Sequence, residues 1–255
     1  MVTSRGEAER LATAPLEVVG QYASASNTTL LCHLGPLPAG RERVTDPRAY
    51  PPEDLAIYKP QSGEAPLWDF PTGTLYRREV AASLVDRLLA WDLVPVTVVR
   101  EDGPLGRGAV QRFVPHDPER HYFWILERGG QELRTQLRQM VLFDIVIDNA
   151  DRKGGHVLLE DGRIRLVDHG VSFHREEKLR TVAWHFEGEA VPEHWREDVA
   201  ELAARLRETG AVAGQLRELL SAVEFERLIE RADAAAELEW FPGPTGPRPY
   251  PWPLL

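Results

Sequence analysis

Apolar residues recur along the chain with two different periods. From Pro15 to Leu34, PLEVVGQYASASNTTLLCHL, apolar positions flank the polar stretch Ser24-Ala25-Ser26-Asn27, which predicts strand, small-residue turn, strand. A loop over 35–54, rich in Pro, Arg and Asp, leads to a third short strand, Leu55 to Lys59. A second loop, 60–74, carries Pro60, Pro66, Pro71 and Gly73. Between Thr74 and Trp91 the period changes. Leu75, Val80, Leu84, Val85, Leu88 and Leu89 follow three- and four-residue spacing, which predicts an amphipathic helix. Two strands are expected around Val94–Arg100 and Ala109–Val114, joined by a turn from Glu101-Asp102-Gly103 onward.

The second half reads differently. After a linker at 115–122, a helix is expected over Glu132–Asp148. Val157–Leu159 and Ile164–Val167 flank Glu160-Asp161-Gly162, a hairpin signal. Residues 194–238 predict two or three amphipathic helices. The tail from Phe241 holds six prolines in fifteen residues and excludes regular helix. No internal repeat is present. The fold class is α+β: a sheet-rich part with one helix (1–114), a mostly helical part with one embedded hairpin (115–240), and a Pro-rich tail (241–255).

Composition narrows the function classes. The 255 residues carry a formal net charge of −10, which disfavours a diffuse grip on nucleic-acid phosphates and a polybasic hold on anionic lipid. Apolar stretches such as Leu93–Val99 fall far short of the ~20 residues that span a bilayer. The N-terminal MVTSRGEAER has no apolar signal core, so a cytoplasmic protein is expected. Cys32 is the single cysteine, which excludes an internal disulfide framework and a Cys-rich zinc site; a small core residue is expected there. Basic residues are almost all Arg, and the three lysines, Lys59, Lys153 and Lys178, therefore draw notice.

The segment 144–170, DIVIDNADRKGGHVLLEDGRIRLVDHG, carries the densest chemistry. A hairpin brings its two ends together, so Asp151 and His156 before its first strand should lie beside Asp168 after its second. Two carboxylates and an imidazole around one point suit a divalent ion that takes its other ligands from substrate phosphates. Upstream, Lys59 ends an apolar strand and Glu79 lies in the first half of the following helix. A strand lysine pinned by a helix glutamate is an arrangement that holds the α- and β-phosphates of ATP. Gln111-Arg112-Phe113-Val114-Pro115 ends a strand where the two parts join, and its backbone is a candidate partner for an adenine edge.

Taken together, NADRKGGHVLL…IRLVDHG resembles the catalytic and metal-binding loops of phosphatidylinositol 3-/4-kinase-like proteins, and IYKP with the Arg78-Glu79-Val80-Ala81 helix is similar to their ATP-lysine and helix-glutamate. In order and size the chain looks most like small kinase-like proteins of that superfamily found in actinobacteria. The resemblance implies a two-lobed protein-kinase-like fold: an antiparallel-sheet N-lobe with one helix, a mostly helical C-lobe, and ATP between them. It also implies that Lys59 binds the ATP phosphates, Glu79 orients Lys59, and Asp151 accepts the proton of the attacking hydroxyl. Asp168 would bridge the metal to the phosphates, His156 would occupy the second metal-binding position, and Ser24, Ser26 and Asn27 would sit in the loop over the nucleotide. His156 stands where the family carries Asn, and imidazole suits Mn, Zn or Fe better than Mg.

The expected function is ATP- and Mg- or Mn-dependent transfer of a phosphoryl group to a small-molecule, inositol-type or protein hydroxyl. Arg175, Lys178 and Arg180 alternate with Glu176 and Glu177 after Asp168, a mixture that argues against a polyphosphoinositide acceptor. The alternatives are a catalytically impaired nucleotide-binding or interaction module, and an AMP transferase.

Overall fold

The computed structural model describes residues 4–23, 25–37, 44–244 and 246–255. The chain forms two compact units, one made of Met1–Ser83 and Pro95–Pro115, the other of Leu84–Val94 and His116–Leu255.

In the first unit, β1 (Leu16–Gln21), β2 (Leu30–Leu34), β3 (Leu55–Pro60), β4 (Thr97–Gly103) and β5 (Gly106–Arg112) build one antiparallel sheet in the order β1-β2-β3-β5-β4. Leu30, Cys32 and Leu34 join one apolar cluster with Ala56, Tyr58 and Val110, while Leu31 joins another with Val19, Leu55 and Phe113. The sheet is thus buried on both faces, which is why β2 reads as a continuous apolar run. Burial pushes the Cys32 thiol up to about 12, leaving it inert at neutral pH.

Leu11 of α1 (Ser4–Thr13) belongs to the first cluster, and Arg100 donates to the Leu11 and Ala14 carbonyls at the C-terminal end of that helix. This helix is absent from the periodicity reading because Leu11 is its one large apolar residue. The hairpin of β4 and β5 also differs from expectation. It continues past Glu101 and Asp102 to Gly103, with a register shift between Arg100 and Gly103. As an edge strand, β4 can turn those charges to solvent.

Helix α2 (Leu75–Leu89) contributes to both units. In the second unit, Asp86 accepts from the Leu93 and Val94 N–H groups, tying the following turn back to α2, and burial pushes its carboxyl up to about 6. The remainder is helical apart from one hairpin: α3 (Tyr122–Arg128), α4 (Gly130–Ile147), β6 (Val157–Glu160), β7 (Arg163–Leu166), α5 (Glu193–Arg207), α6 (Ala211–Leu219) and α7 (Ala222–Ala236). Asp161 and Gly162 have φ of 47° and 80°, the left-handed pair a type I′ turn requires. Helix α3 falls between the expected linker and the expected helix from Glu132, where the sequence predicts no element; it buries only Tyr122 and Ile125. The tail is irregular, as its prolines dictate. Its Pro249 carbonyl accepts from Thr181 N–H at 3.1 Å and Trp184 Nε1 at 2.8 Å, and its Leu254 carbonyl accepts from Gly154 N–H at 2.7 Å. Among the described residues no helix is long and apolar enough to cross a membrane.

Candidate active site

Lys59 owes its position to glycine. In β3 it pairs with Ala109, and Pro60 pairs with Gly108 of β5. A Cβ at position 108 would fall 2.4 Å from the Lys59 carbonyl oxygen and 2.7 Å from the Tyr58 ring, so only glycine lets the strands close. Tyr58 locks the register by donating its hydroxyl to the Gly106 carbonyl at 2.5 Å. Strand alternation then sends the Lys59 side chain to the opposite face from Tyr58. Its Nζ lies 2.5 Å from Glu79 Oε1 on α2, the two side chains being 20% and 4% exposed. The start of α2 is itself fixed by Glu64, whose carboxylate accepts from Leu75 N–H at 3.1 Å and Tyr76 N–H at 2.8 Å. Glu64 lies in the loop expected over 60–74, 11 residues before the first N–H it caps, so no local signal marks it.

The other residues expected at the nucleotide are distributed unevenly. Ser24 lies outside the described residues. Ser26 is exposed, and Asn27 Oδ1 accepts from Ala65 N–H at 2.7 Å, tying its turn to the 63–65 loop. Gln111 is covered by β3 on one side and β4 on the other, opposite Ile57 and Thr97, and its buried side chain donates to Thr97 Oγ1 at 2.8 Å. It has no open edge for an adenine. Phe113 packs its ring into the core and its N–H donates to the Leu55 carbonyl at 3.4 Å; Val114 is buried.

In the second unit, the β6–β7 hairpin brings His156 to Asp168, while Asp151 pairs with Lys153 rather than joining a three-residue cluster. His156 Nε2 lies 3.2 Å from Asp168 Oδ2, and Asp151 Oδ2 lies 3.0 Å from Lys153 Nζ. Burial raises the Asp151 carboxyl above the ordinary carboxylate range; Lys153 opposes that shift and the Asp168 charge adds to it. Asp168 adopts φ 61°, the left-handed region that a non-glycine residue occupies at a cost, and its side chain is 47% exposed.

What holds these groups in place is Arg152. It turns away from Asp151 into the core. Arg152 Nε donates to Asp144 Oδ2 at 2.8 Å and Nη2 to Asp144 Oδ1 at 3.0 Å, both side chains being almost fully buried. Its Nη1 donates to the Val167 carbonyl at 2.9 Å and the His156 carbonyl at 3.3 Å. Nη2 also meets His169 Nε2 at 2.9 Å, and since a guanidinium only donates, His169 must accept there and carry its proton on Nδ1. Asn149 Nδ2 donates to Asp144 Oδ1 at 3.0 Å while its Oδ1 accepts the Asp151 N–H at 3.0 Å. One buried guanidinium therefore ties the end of α4 to the loop before the hairpin and the loop after it. Asp144, Asn149, Arg152 and His169 escaped the sequence reading. The available signal was an acid set inside the apolar run VLFDIVI.

Among the described residues, no group of three or more His, Cys, Asp or Glu gathers to hold a metal ion. Asp168 and His156 offer one carboxylate and one imidazole. That set fits an ion that takes its remaining ligands from nucleotide phosphates, because such ions need only one or two protein carboxylates.

No family model matches the sequence. The fold is similar to that of the Golgi casein kinase solved with Mn/ADP bound, at a TM-score of 0.53 and 13% identity over 91% of this chain and 74% of that one. It is also similar to hydra Fam20 solved with sugar (TM-score 0.52, 14% identity, 90% and 86% covered) and to the Helicobacter pylori proinflammatory kinase CtkA (TM-score 0.50, 10% identity, 90% and 94% covered). These likenesses establish a protein-kinase-like fold; the resemblance to phosphatidylinositol kinases rests on short motifs. By sequence, the chain is 38% identical over 277 residues to Protein Rv2133c of Mycobacterium tuberculosis, covering 96% of this chain and 94% of that protein. The chain belongs to the same family as that mycobacterial protein, built on a protein-kinase-like fold.

Proposed function

We propose that the protein is an ATP- and divalent-metal-dependent phosphotransferase that delivers a phosphoryl group to a hydroxyl. The observation that carries this reading is the 2.5 Å contact between Lys59 Nζ and Glu79 Oε1. A nearly buried glutamate holds the ammonium of a strand lysine in one place, so little side-chain entropy remains to be lost when phosphates bind.

In this reading Lys59 binds the ATP phosphates and Glu79 orients Lys59. Asp168 and His156 hold a Mg or Mn ion, which when bound neutralises charge on the phosphates. Asp151 takes the proton of the attacking hydroxyl as the new O–P bond forms and the bond to the ADP oxygen breaks. Its raised pKa makes it a better proton acceptor than an ordinary carboxylate. Lys153, 3.0 Å from Asp151, is the further candidate: an ammonium placed where charge on the transferring group would be met. Arg152 and Asn149 position the loop and touch no substrate. The kinase neighbour solved with Mn/ADP supports the choice of cofactors. On the acceptor side, Glu176 and Glu177 among the basic residues favour a protein or small-molecule hydroxyl over a phosphorylated inositol headgroup.

Thermal-shift titration with ATP and Mn tests the binding half. Asp168→Ala should lose the nucleotide-dependent shift, whereas Asp151→Ala should keep it and lose transfer. Equal shifts in wild type and Asp168→Ala, or near-full turnover by Asp151→Ala, contradict the assignment.

A further inference from the structure

A cavity of about 640 Å³ within the second unit is lined by the end of α4, the 175–179 segment and α7. Neither Asp151, His156 nor Asp168 lines it, so it is distinct from the base and metal-binding part of the candidate active site. Its volume falls in the range of small-molecule sites. Ile145, Leu179, Ala235 and Leu238 supply an apolar wall, and Asp148 and Arg231 bring two charges.

Both charged side chains are anchored through only part of their polar atoms. Asp148 Oδ1 accepts the Lys178 N–H at 2.9 Å. Arg231 donates Nε to the Val146 carbonyl and Nη1 to the His174 carbonyl, each at 3.1 Å. Asp148 Oδ2 and Arg231 Nη2 are buried without a hydrogen-bond partner. Asp148 is 1% exposed. Burial raises its carboxyl pKa and lowers that of Arg231, and each charge only partly opposes the shift of the other. Leaving such groups unsatisfied is costly, and a ligand that satisfies both recovers that cost on binding.

The remaining charges around the cavity largely pair among themselves. Arg227 meets Glu230 at 2.5 Å and Arg175 meets Glu176 at 3.9 Å. What is left to a ligand is one buried anion, one half-buried cation and an apolar wall, with Glu177 a further carboxylate not paired in this way. A polyanion would be repelled by Asp148 and Glu177, and a polycation by Arg231.

We propose that this cavity is a second ligand site that takes a small zwitterion with an apolar body, such as an apolar amino acid or dipeptide. Its ammonium meets Asp148 Oδ2, its carboxylate meets Arg231 Nη2, and its body lies against Ile145, Leu179, Ala235 and Leu238.

Isothermal titration of the full chain with leucyl-leucine tests this, with the doubly capped dipeptide, inositol hexakisphosphate and spermine as comparisons. The dipeptide should bind saturably and the other three should not. Asp148→Asn keeps the Oδ1 acceptor for Lys178 and tolerates the left-handed backbone at φ 50°, but replaces Oδ2 with a donor. It should weaken the dipeptide by about tenfold or more, the worth of one charge-assisted hydrogen bond. Ala234→Trp, at an exposed lining position, should block the cavity without touching either charge. Far-ultraviolet dichroism on both variants checks that they remain folded. Absence of dipeptide binding to the wild type, unchanged binding in both variants, or binding of the anion, the cation or the capped peptide instead would overturn the proposal.

Discussion

The Lys59–Glu79 pair of the first unit and the Arg152–Asp144 pair of the second are both cation–carboxylate contacts linking two elements, at 2.5 and 2.8 Å. They differ in what surrounds the cation. Arg152 is sealed, and its donors are taken up by Asp144, two backbone carbonyls and His169. Lys59 keeps a fifth of its side chain exposed, while its glutamate is almost buried. A fully enclosed guanidinium with fixed partners holds loops in place. An ammonium that stays partly exposed is placed to meet a ligand. Charge pairing alone therefore does not separate scaffold from site; the exposure of the cation does.

The contrast predicts different losses. Arg152→Met removes the counter-charge of a buried carboxylate and should lower unfolding stability by about 3–5 kcal/mol in urea titration. Lys59→Met should reduce kcat by about 100-fold or more, with a stability loss of only about 1–2 kcal/mol from the Glu79 carboxylate left behind. Equal stability losses in the two variants would break the comparison. Asp86 extends it to a buried acid held by main-chain N–H groups. Its carboxyl sits at about 6, above its ordinary value, so the folded state favours the protonated form. That contribution is complete below about pH 4 and is lost as pH rises to about 6, a swing on the order of 3 kcal/mol. Urea titrations at several pH values should show this decline in the wild type, and Asp86→Asn should abolish it. Gly154→Ala tests the seat of the tail. The added Cβ would come within 2.8 Å of the Phe123 ring and 3.4 Å of the Leu254 carbonyl, so a loss of about 1–2 kcal/mol is expected, read as a lower thermal midpoint.

Much of the first unit was legible because its signals are local. The runs around Leu30–Leu34 and Leu55–Lys59 and the helix carrying Glu79 declare themselves within a few residues, as does the Asp161-Gly162 turn of the second unit. The approach of His156 to Asp168 was legible too, since a hairpin constrains its ends, whereas Asp151 pairs with Lys153 instead. What escaped depends on partners distant in sequence or on weak amphipathy. Helices α1 and α3 bury too few large apolar residues to show a period. Gln111 looked available until β3 and β4 covered it from both sides. Glu64 caps a helix across an intervening loop, and Asp144 meets Arg152 only after α4 ends and the chain turns back. The prolines forbid a helical tail, but nothing in them says that Leu254 will accept the Gly154 N–H.

The most direct test of the phosphotransferase assignment is ADP formation from ATP in the presence of Mn, with intact-mass analysis of the protein and any added acceptor. The wild type should release ADP and leave a phosphoryl-sized mass on the acceptor, while Lys59→Met and Asp168→Ala, shown to be folded, should do neither. No ADP from the wild type, undiminished ADP from both variants, or an adenylyl-sized mass in place of a phosphoryl one would contradict it.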